Sequence, residues 1–422
     1  MPGTKSSLRV CAALAVLTFT VFAATILRAQ QETVLHSFGN SSDGVFPVDG
    51  LIFDISGNLY GTTYVGGIHS AGTVFELSPQ GGGGWTETVL HSFGNGTDGS
   101  GPEAGLILDS AGNLYGTTAF GGIYGLGTVF ELSPRAGGGW TETVLHSFGN
   151  GNDGQLPVAP LVYADGNLYG TTNGGGIHDA GTVFELSPNG GGGYTETLLH
   201  NFGNPATNDG SYPSAGLVFD SAGNLYSTTS QGGIHGFGTA FELSPRQGGG
   251  WTETLLHNFG NPSTNDGYIP YTGLIFDSAG NLYGTTSGGG IHGGGTAFEL
   301  SPRGGGSWTE TVLHNFGGGT DGAYLLAGLA MDTAGNLYGT TDSGGIHSNC
   351  SGGCGTAFEL SPRQGGGWTE RVLHNFGSGA DGNEPAAGLV LDSAGNLYGT
   401  TEGGGIHSCG GLGCGTAFKI AP

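Results

Sequence analysis

Two residue types that can hold a cation or a polar ligand recur at regular intervals along this chain. An Asp-Gly dipeptide appears in every interval, at Asp43, Asp98, Asp153, Asp209, Asp266, Asp321 and Asp381. A Gly-Gly-Ile-His segment gives His69, His178, His235, His292, His347 and His407, with Tyr124 at the equivalent position of the second interval. Carboxylates bind calcium and zinc, and imidazoles bind zinc, so the two series are candidates for a ring of ligands.

The same two series also have a purely structural interpretation. Asp-Gly is a turn dipeptide whose carboxylate can accept hydrogen bonds from its own backbone, and the histidine can hold an irregular loop through its ring nitrogens. Calcium is the cofactor that such carboxylates would suit, but the clustered D-x-D-x-D pattern of a calcium loop is absent. We therefore predict no resident cofactor or metal, and both interpretations of the two series stay open.

Both series lie in a tandem repeat. Its hexapeptide NLYGTT, or a close variant, begins at Asn58, Asn113, Asn167, Asn224, Asn281, Asn336 and Asn396. The second unit contains four apolar or β-branched segments, GLILD, NLYGTT, GTVFEL and TETVLHSF, separated by turn residues. Four short strands in a unit of this length predict one blade of an antiparallel β-propeller.

The N-terminal stretch QETVLHSFG, residues 31–39, is the end of a repeat without its beginning. The last unit stops at GTAFKIAP and lacks this same strand. We predict that Thr33 to Phe38 pairs beside Gly415 to Ile420 and closes a ring, because an open stack would leave apolar end faces exposed. The expected fold is all-β: a seven-bladed β-propeller over residues 30–422, with four antiparallel strands per blade.

Strand direction alternates within a blade, so the connection after TETVLHSF and the connection after NLYGTT must emerge on the same side of the ring. We call this side the upper face. It carries both the Asp-Gly and the Gly-Gly-Ile-His series. If they bind a ligand, we expect them to do so at the mouth of the central channel.

A second histidine series lies inside the outer strand, at His36, His91, His146, His200, His257, His314 and His374. With alternating side chains it would share a strand face with the Val and Phe of VLHSF, buried between blades with one hydrogen bond. Glu76 in FELSP and Glu87 in WTET also recur and could supply a glycosidase's paired acids. Such catalysis needs two acids in different environments, whereas repeated positions have similar ones, so we expect an active site only where the repeat is broken.

The cysteines break the repeat most clearly. Cys350, Cys354, Cys409 and Cys414 fall in upper-face loops of the sixth and seventh blades. In an exported chain they predict two disulfides, with local pairs Cys350–Cys354 and Cys409–Cys414 preferred over pairs that cross between blades. A four-cysteine zinc site near His347 and His407 is the alternative, but its C-x3-C and C-x4-C spacings are loose.

Residues 1–29 have the pattern of a cleaved secretory signal peptide: Lys5 and Arg9, an apolar run from Val10 to Leu27, and then Ala29. The run is also long enough for an uncleaved membrane anchor. No second apolar span follows, so no C-terminal anchor is predicted. Without the first 29 residues, six Lys and Arg oppose 33 acids, a net charge near −27. That charge disfavours nucleic acids and anionic membranes as partners.

The tandem segment GLIxDxxGNLYGTTxxGG…GTVFELSP resembles the GloVer repeat of predicted secreted bacterial proteins, over essentially all of residues 31–422. The fragment HSFGNGTDGSGPEAGLILDSAGNLYGTT is similar, more distantly, to NHL-type propeller repeats. Neither resemblance implies a defined reaction. NHL-like propellers are mostly binding scaffolds, with a minority of enzymes.

These observations predict a secreted, extracellular or periplasmic, monomeric propeller that binds a glycan, peptide or protein ligand on its upper face and catalyses no reaction. The alternative is a metal-dependent propeller enzyme of the lactonase, hydrolase or lyase type. That alternative depends on analogy of fold alone.

Overall fold

The computed structural model of the protein describes residues 31–40, 42–411 and 413–421. The predicted signal peptide, residues 1–29, lies outside them. The described residues form 42 β-strands. Within this part of the chain, no helix has the length and apolar character needed to cross a membrane.

Seven four-stranded antiparallel sheets repeat the predicted unit. Each blade begins with a short inner strand, at Ile52–Phe53, Ile107–Leu108, Val162–Ala164, Val218–Phe219, Ile275–Phe276, Ala330–Met331 and Val390–Leu391. The second strands carry the LYGTT motif, at Leu59–Thr63, Leu114–Thr118, Asn167–Thr172, Leu225–Thr229, Leu282–Thr286, Leu337–Thr341 and Leu397–Thr401.

The third and outer strands are longer and joined by Gly-rich hairpins. The third strands are Thr73–Pro79, Thr128–Pro134, Thr182–Pro188, Thr239–Pro245, Thr296–Pro302, Thr356–Pro362 and Thr416–Ala421. The outer strands of blades one to six are Trp85–Ser92, Trp140–Ser147, Tyr194–Asn201, Trp251–Asn258, Trp308–Asn315 and Trp368–Asn375, and Gln31–Ser37 is the outer strand of blade seven.

The ring closes as predicted. Gln31–Ser37 pairs antiparallel with Thr416–Ala421, from Gln31 opposite Ala421 to Ser37 opposite Thr416. The N–H of Phe38 adds a bond to the carbonyl of Gly415, at 3.0 Å. Toward the centre, the Thr400 hydroxyl donates to the carbonyl of Asp49 at 3.0 Å, the counterpart of the Thr62 to Ala104 bond between blades one and two. The first and last blades are therefore joined by the same kinds of contact as any other pair.

Two-residue ribbons link the two connections that were predicted to share the upper face. Each pairs the segment after an outer strand with the segment after the next second strand: Gly44–Val45 with Val65–Gly66, Gly99–Ser100 with Phe120–Gly121, Gly154–Gln155 with Gly174–Gly175, Gly210–Ser211 with Gln231–Gly232, Gly267–Tyr268 with Gly288–Gly289, Gly322–Ala323 with Ser343–Gly344, and Gly382–Asn383 with Gly403–Gly404. Direct pairing confirms that both connections lie on one face.

The core is divided among the seven junctions between blades. At the junction of blades seven and one, Phe38, Leu59, Phe75 and Ala417 pack together and are fully buried. The glycine of LYGTT makes this packing close, because a Cβ on Gly61 would stand 2.6 Å from the ring of Phe75. Apolar burial between neighbouring blades is thus what stabilises the ring.

A β-bulge interrupts every outer strand at the leucine before its histidine. In blade seven, Val34 lies opposite Phe418, but His36 lies opposite Ala417. Phe418 and Ala417 are consecutive and point to opposite faces, so the extra residue turns His36 away from the side that Val34 occupies. The expectation that the histidines share a strand face with the preceding valine is therefore wrong, whereas His36 does contact Phe38, with ring centroids 4.7 Å apart.

Candidate functional site

A cavity of about 940 Å³ opens at the centre of the ring. Its wall is formed by the residues that lead into each inner strand and, in blades one, two, three and seven, by the residue that follows the second strand. Residues at equivalent positions in the seven blades differ from one another here, although the strands around them are nearly identical. The cavity is thus where the wall of the ring departs furthest from the repeat.

Three carboxylates from neighbouring blades line this cavity: Asp49, Glu103 and Glu402. Asp49 accepts hydrogen bonds from the N–H groups of Gly50 and Gly105, at 2.6 and 2.5 Å, which fix its position between blades one and two. Burial raises the pKa of Asp49 to about 6 despite these two bonds. Burial also raises the pKa of Glu103, and burial together with Glu384 raises that of Glu402.

A fourth carboxylate follows the second strand of blade six. Burial, with repulsion from Glu384 and Glu402, raises the pKa of Asp342 to about 6. Asp342 and Glu402 occupy equivalent positions in adjacent blades, where blades one to five have Tyr64, Ala119, Asn173, Ser230 and Ser287. The acids are therefore grouped in the sector formed by blades six, seven, one and two.

Aromatic and apolar side chains complete the wall. Phe120 and Tyr271 line the cavity and are 42% and 43% exposed, and Tyr64 and Leu326 line it beside them. Phe120 and Tyr271 therefore present aromatic surface to a ligand that enters the cavity.

Non-glycine residues with positive φ recur in the upper-face connections of the blades. The third residue after each Asp-Gly aspartate has φ between 56° and 59° at Phe46, Leu156, Tyr212, Ile269, Tyr324 and Glu384. Blade two has Gly101 at this position, with φ 61°, so the backbone conformation does not require a side chain there. A left-handed conformation costs a residue with a side chain about 1 kcal/mol or more. Keeping large side chains at six such positions points to a use for them on the upper face.

The upper face carries no cationic side chain within the described residues. Lys and Arg of this part of the chain all lie in third strands, outer strands or the hairpins between them: Arg135, Arg246, Arg303, Arg363, Arg371 and Lys419. Arg371 pairs with Glu359, and Lys419 lies 5.4 Å from the ring centre of Tyr398. Among the described residues, no Lys or Arg therefore neutralises the carboxylates of the cavity.

The Asp-Gly aspartates lie away from this cavity, and none of them lines it. Each is almost completely buried and faces the histidine of the preceding outer strand, with Nε2 to Oδ2 distances from 3.0 to 3.4 Å. Asp43 also accepts a hydrogen bond from the N–H of Gly39 at 3.0 Å, as the turn interpretation predicts.

The Gly-Gly-Ile-His histidines do not meet these aspartates. His69, His178 and His292 are exposed, and His235, His347 and His407 are half-buried. Tyr124, at the equivalent position of blade two, is 47% exposed. The structure therefore pairs the Asp-Gly aspartates with the outer-strand histidines, the series for which the sequence suggested only a structural role.

An outer-strand glutamate from the next blade lies beside each of these pairs. Because the bulge separates its two faces, an outer strand presents its glutamate to the preceding blade and its histidine to the following one. Glu87 of blade one thus lies near His36 and Asp43. Glu32 of the closing strand lies near His374 and Asp381. In the sequence these glutamates are only repeated strand residues. Their spacing from the histidine indicates that they group with the Asp–His pairs only when the bulge is taken into account.

The cysteines form the two local disulfides that were predicted, Cys350–Cys354 and Cys409–Cys414. These bonds are consistent with an extracellular location. They also exclude the four-cysteine zinc site, because every thiolate it would need is oxidised.

Asp49, Glu103, Asp342 and Glu402 were missed as candidates from the sequence. Each stands within two residues of a repeated motif, at a position where most other blades have an uncharged residue. The signal was available as a departure from the repeat close to the inner strand. The residues that recur carry no trace of it.

Seven four-stranded antiparallel sheets in a closed ring around a central cavity define a seven-bladed β-propeller. Within this class, the chain matches the Gloeobacter/Verrucomicrobia repeat over residues 19–218 and 191–418, and it belongs to that family. The predicted GloVer resemblance is thereby confirmed. Comparison with curated protein sequences finds no match.

Solved structures share the fold at low sequence identity. An ancestral GH74 enzyme aligns with a TM-score of 0.56 and 11% identity, over 93% of this chain and 51% of that one. A protein from Bacteroides uniformis predicted to be a 6-phosphogluconolactonase aligns with a TM-score of 0.48 and 13% identity, over 88% and 89% of the two chains. A Thermus thermophilus protein predicted to be an oxidoreductase of the glucose dehydrogenase type aligns with a TM-score of 0.40 and 16% identity, over 93% of this chain and 100% of that one. These likenesses describe the fold alone.

Proposed function

We propose that this protein is a secreted, monomeric, noncatalytic binding module that holds an extracellular glycan at the upper mouth of its central cavity. The observation that carries the proposal is the lining of that cavity, which combines carboxylates that have no Lys or Arg partner among the described residues with exposed aromatic rings where the repeat is broken. Its volume, about 940 Å³, lies at the upper end of the range for small-ligand sites and would admit a short oligosaccharide.

The chemistry of the wall suits a sugar better than an anion. Sugar hydroxyls donate hydrogen bonds to carboxylates such as Asp49 and Glu402, and the C–H face of a sugar ring packs on rings such as Tyr271 and Phe120. The absence of Lys and Arg from the described part of the upper face disfavours phosphorylated or uronic acid ligands. An amino sugar would gain further from the acidic sector.

A glycan array followed by calorimetry on the best ligand tests this proposal. We expect the double variant Asp49→Asn/Tyr271→Ala to weaken binding at least tenfold, because it removes one acceptor and one stacking surface. Tyr163→Ala is the matched control: Tyr163 is 48% exposed and lies in the inner hairpin of blade three, outside the cavity. Equal affinity of both variants, or no glycan bound at millimolar concentration, would contradict the proposal.

A hydrolase acting on the same ligand is the second candidate, and one observation favours it. Asp49 lines the cavity, and burial raises its pKa to about 6, a value at which a carboxylic acid can donate a proton close to neutral pH. Incubation of the bound oligosaccharide with the protein, followed by mass spectrometry, separates the two functions. Intact ligand after many hours supports binding alone, whereas cleavage that Asp49→Asn abolishes without loss of affinity supports the hydrolase.

A further inference from the structure

Every junction between blades contains a buried carboxylate oxygen without a hydrogen-bond partner. It is Oε1 of the outer-strand glutamate, at Glu32, Glu87, Glu142, Glu196, Glu253, Glu310 and Glu370. A buried acceptor that is left without a hydrogen bond costs about 1–3 kcal/mol of stability. The same unpaired oxygen recurs at seven junctions, which requires a physical explanation. Each of these glutamates lies near the Asp–His pair at the junction with the preceding blade.

At three junctions the ligand atoms of all three residues lie within 4.8 Å of one another: His146, Asp153 and Glu196; His200, Asp209 and Glu253; and His374, Asp381 and Glu32. The junction of blades three and four is the most complete. There, the His200 Nε2 atom is 3.4 Å from Asp209 Oδ2 and 3.9 Å from Glu253 Oε1.

At the junction of blades three and four, the facing atoms of His200, Asp209 and Glu253 form no hydrogen bond. The side chain of Asp209 is 1% exposed, and both of its carboxylate oxygens lack a hydrogen-bond partner. His200 Nε2 and Glu253 Oε1 are likewise buried without one. At the junction of blades seven and one, by contrast, Asp43 accepts hydrogen bonds from Gly39 and His36. Asp209 is therefore buried, accepts no hydrogen bond, and faces two other potential ligands.

We propose that His200, Asp209 and Glu253 bind a divalent cation of the zinc class between blades three and four. One imidazole nitrogen and two carboxylate oxygens are a donor set that zinc accepts, with a fourth position left for water. Zinc bonds of about 2.0 Å in a tetrahedron place ligand atoms roughly 3.3 Å apart. The observed separations of 3.4 and 3.9 Å approach that spacing before any adjustment of rotamers.

Charge balance supports the same conclusion. Two carboxylates in a partly buried junction repel each other, and no Lys or Arg among the described residues pairs with them. A divalent cation neutralises both and removes the cost of the unpaired oxygens. The clusters at His146 and His374 repeat this donor set, so we expect up to three ions per chain, one of them at the seam that closes the ring.

Zinc binding to the full secreted chain tests the proposal. Protein stripped with a chelator is dialysed against zinc at pH 8, where Glu253, whose pKa burial raises to about 7, is ionised. Bound metal is then counted by mass spectrometry, and the melting temperature is measured with and without zinc. We expect one to three tightly bound ions and a higher melting temperature in zinc.

Glu253→Gln keeps the shape of the side chain and should lose one bound ion and part of the zinc-dependent rise in melting temperature. Glu242→Gln is the control, because Glu242 lies on the adjacent strand and accepts a hydrogen bond from Ser244 outside the cluster. Should Glu253→Gln fail to fold, Asp209→Asn answers the same question. Equal zinc content in the wild type, the control and both cluster variants would overturn the proposal, as would no ion retained at tenfold molar excess. Both measurements are independent of glycan binding.

Discussion

At the scale of single residues, burial rather than charge pairing governs the outer-strand glutamates. Burial raises the pKa to about 7 in six of them: Glu32, Glu142, Glu196, Glu253, Glu310 and Glu370. The ordinary value of 4.5 applies in the unfolded chain, so the folded protein holds these protons more tightly. Their contribution to stability is complete below pH 4.5 and is lost as the pH rises through 7.

Stability should therefore fall between pH 5.5 and pH 8.5 in chelator-treated protein. Three histidines oppose the trend, because burial lowers the pKa of His91, His146 and His257. Their contribution to the stability of the fold is lost as the pH falls below 6.5. Glu310→Gln isolates one glutamate and should reduce the pH dependence of the unfolding free energy by about 1 kcal/mol, after discounting for solvent. Urea unfolding at both pH values measures it. A variant with an unchanged difference would mean that Glu310 ionises normally in the folded protein.

At the scale of elements, the upper-face loops of blades six and seven are held by disulfides. Both bonds close short loops, with sequence separations of 4 and 5, and each ends in a buried sulfur, at Cys354 and Cys414. Cys414 packs into the junction of blades seven and one, beside Phe38 and Ala417. One loop thus takes part directly in closing the ring.

Reduction of the two disulfides should lower the unfolding free energy by about 2 kcal/mol for each bond, as expected for loops of this length. Urea unfolding with and without reductant measures the change. The variant Cys350→Ala/Cys354→Ala, which keeps only the other bond, should show about half the response to reductant. Insensitivity of the wild type would show that the loops are held by packing alone.

The elements also show where sequence reasoning succeeded and where it failed. The number of strands, the number of blades and the pairing of Thr33 to Phe38 were predictable. The tandem repeat gives the number of blades, and the alternation of apolar segments with turn residues marks the strands. The bulge before His36 was not, because Leu35 fits either face of a strand and nothing local marks the extra residue. Its omission placed the histidine beside Val34 and hid the junction clusters. The cavity carboxylates were missed for another reason: a single Asp49 among six blades with Ala or Thr resembles drift until the fold brings the positions together.

At the scale of the whole molecule, the ring depends on a single noncovalent strand pair. Removal of residues 31–38 would expose the edge of Thr416–Ala421, and it would take Phe38 from the junction of blades seven and one and Glu32 from the junction of blades six and seven. Unpaired edges promote aggregation, and loss of a buried phenylalanine alone costs about 3–5 kcal/mol.

A chain that begins at Gly39 should therefore melt at least 10 °C below a chain that begins at Gln31, or aggregate, because every junction contributes to one closed core. Calorimetry and light scattering compare the two chains, and the chain from Gln31 controls for loss of residues 1–30. Addition of a synthetic peptide of residues 31–39 should restore part of the melting temperature. Equal melting of both chains would mean that the ring does not need this strand.

The bulge has a consequence for how such a molecule can change size. Each outer strand contributes its glutamate to the junction with the preceding blade and its histidine to the junction with the following blade. Every junction therefore combines residues from two neighbouring units, and these residues are the same in all units. A whole unit copied or deleted within the gene would leave each remaining junction chemically complete. The number of blades is then limited only by the curvature at which the ring can close. Duplication of one unit can therefore add a blade without any change in the residues of the junctions.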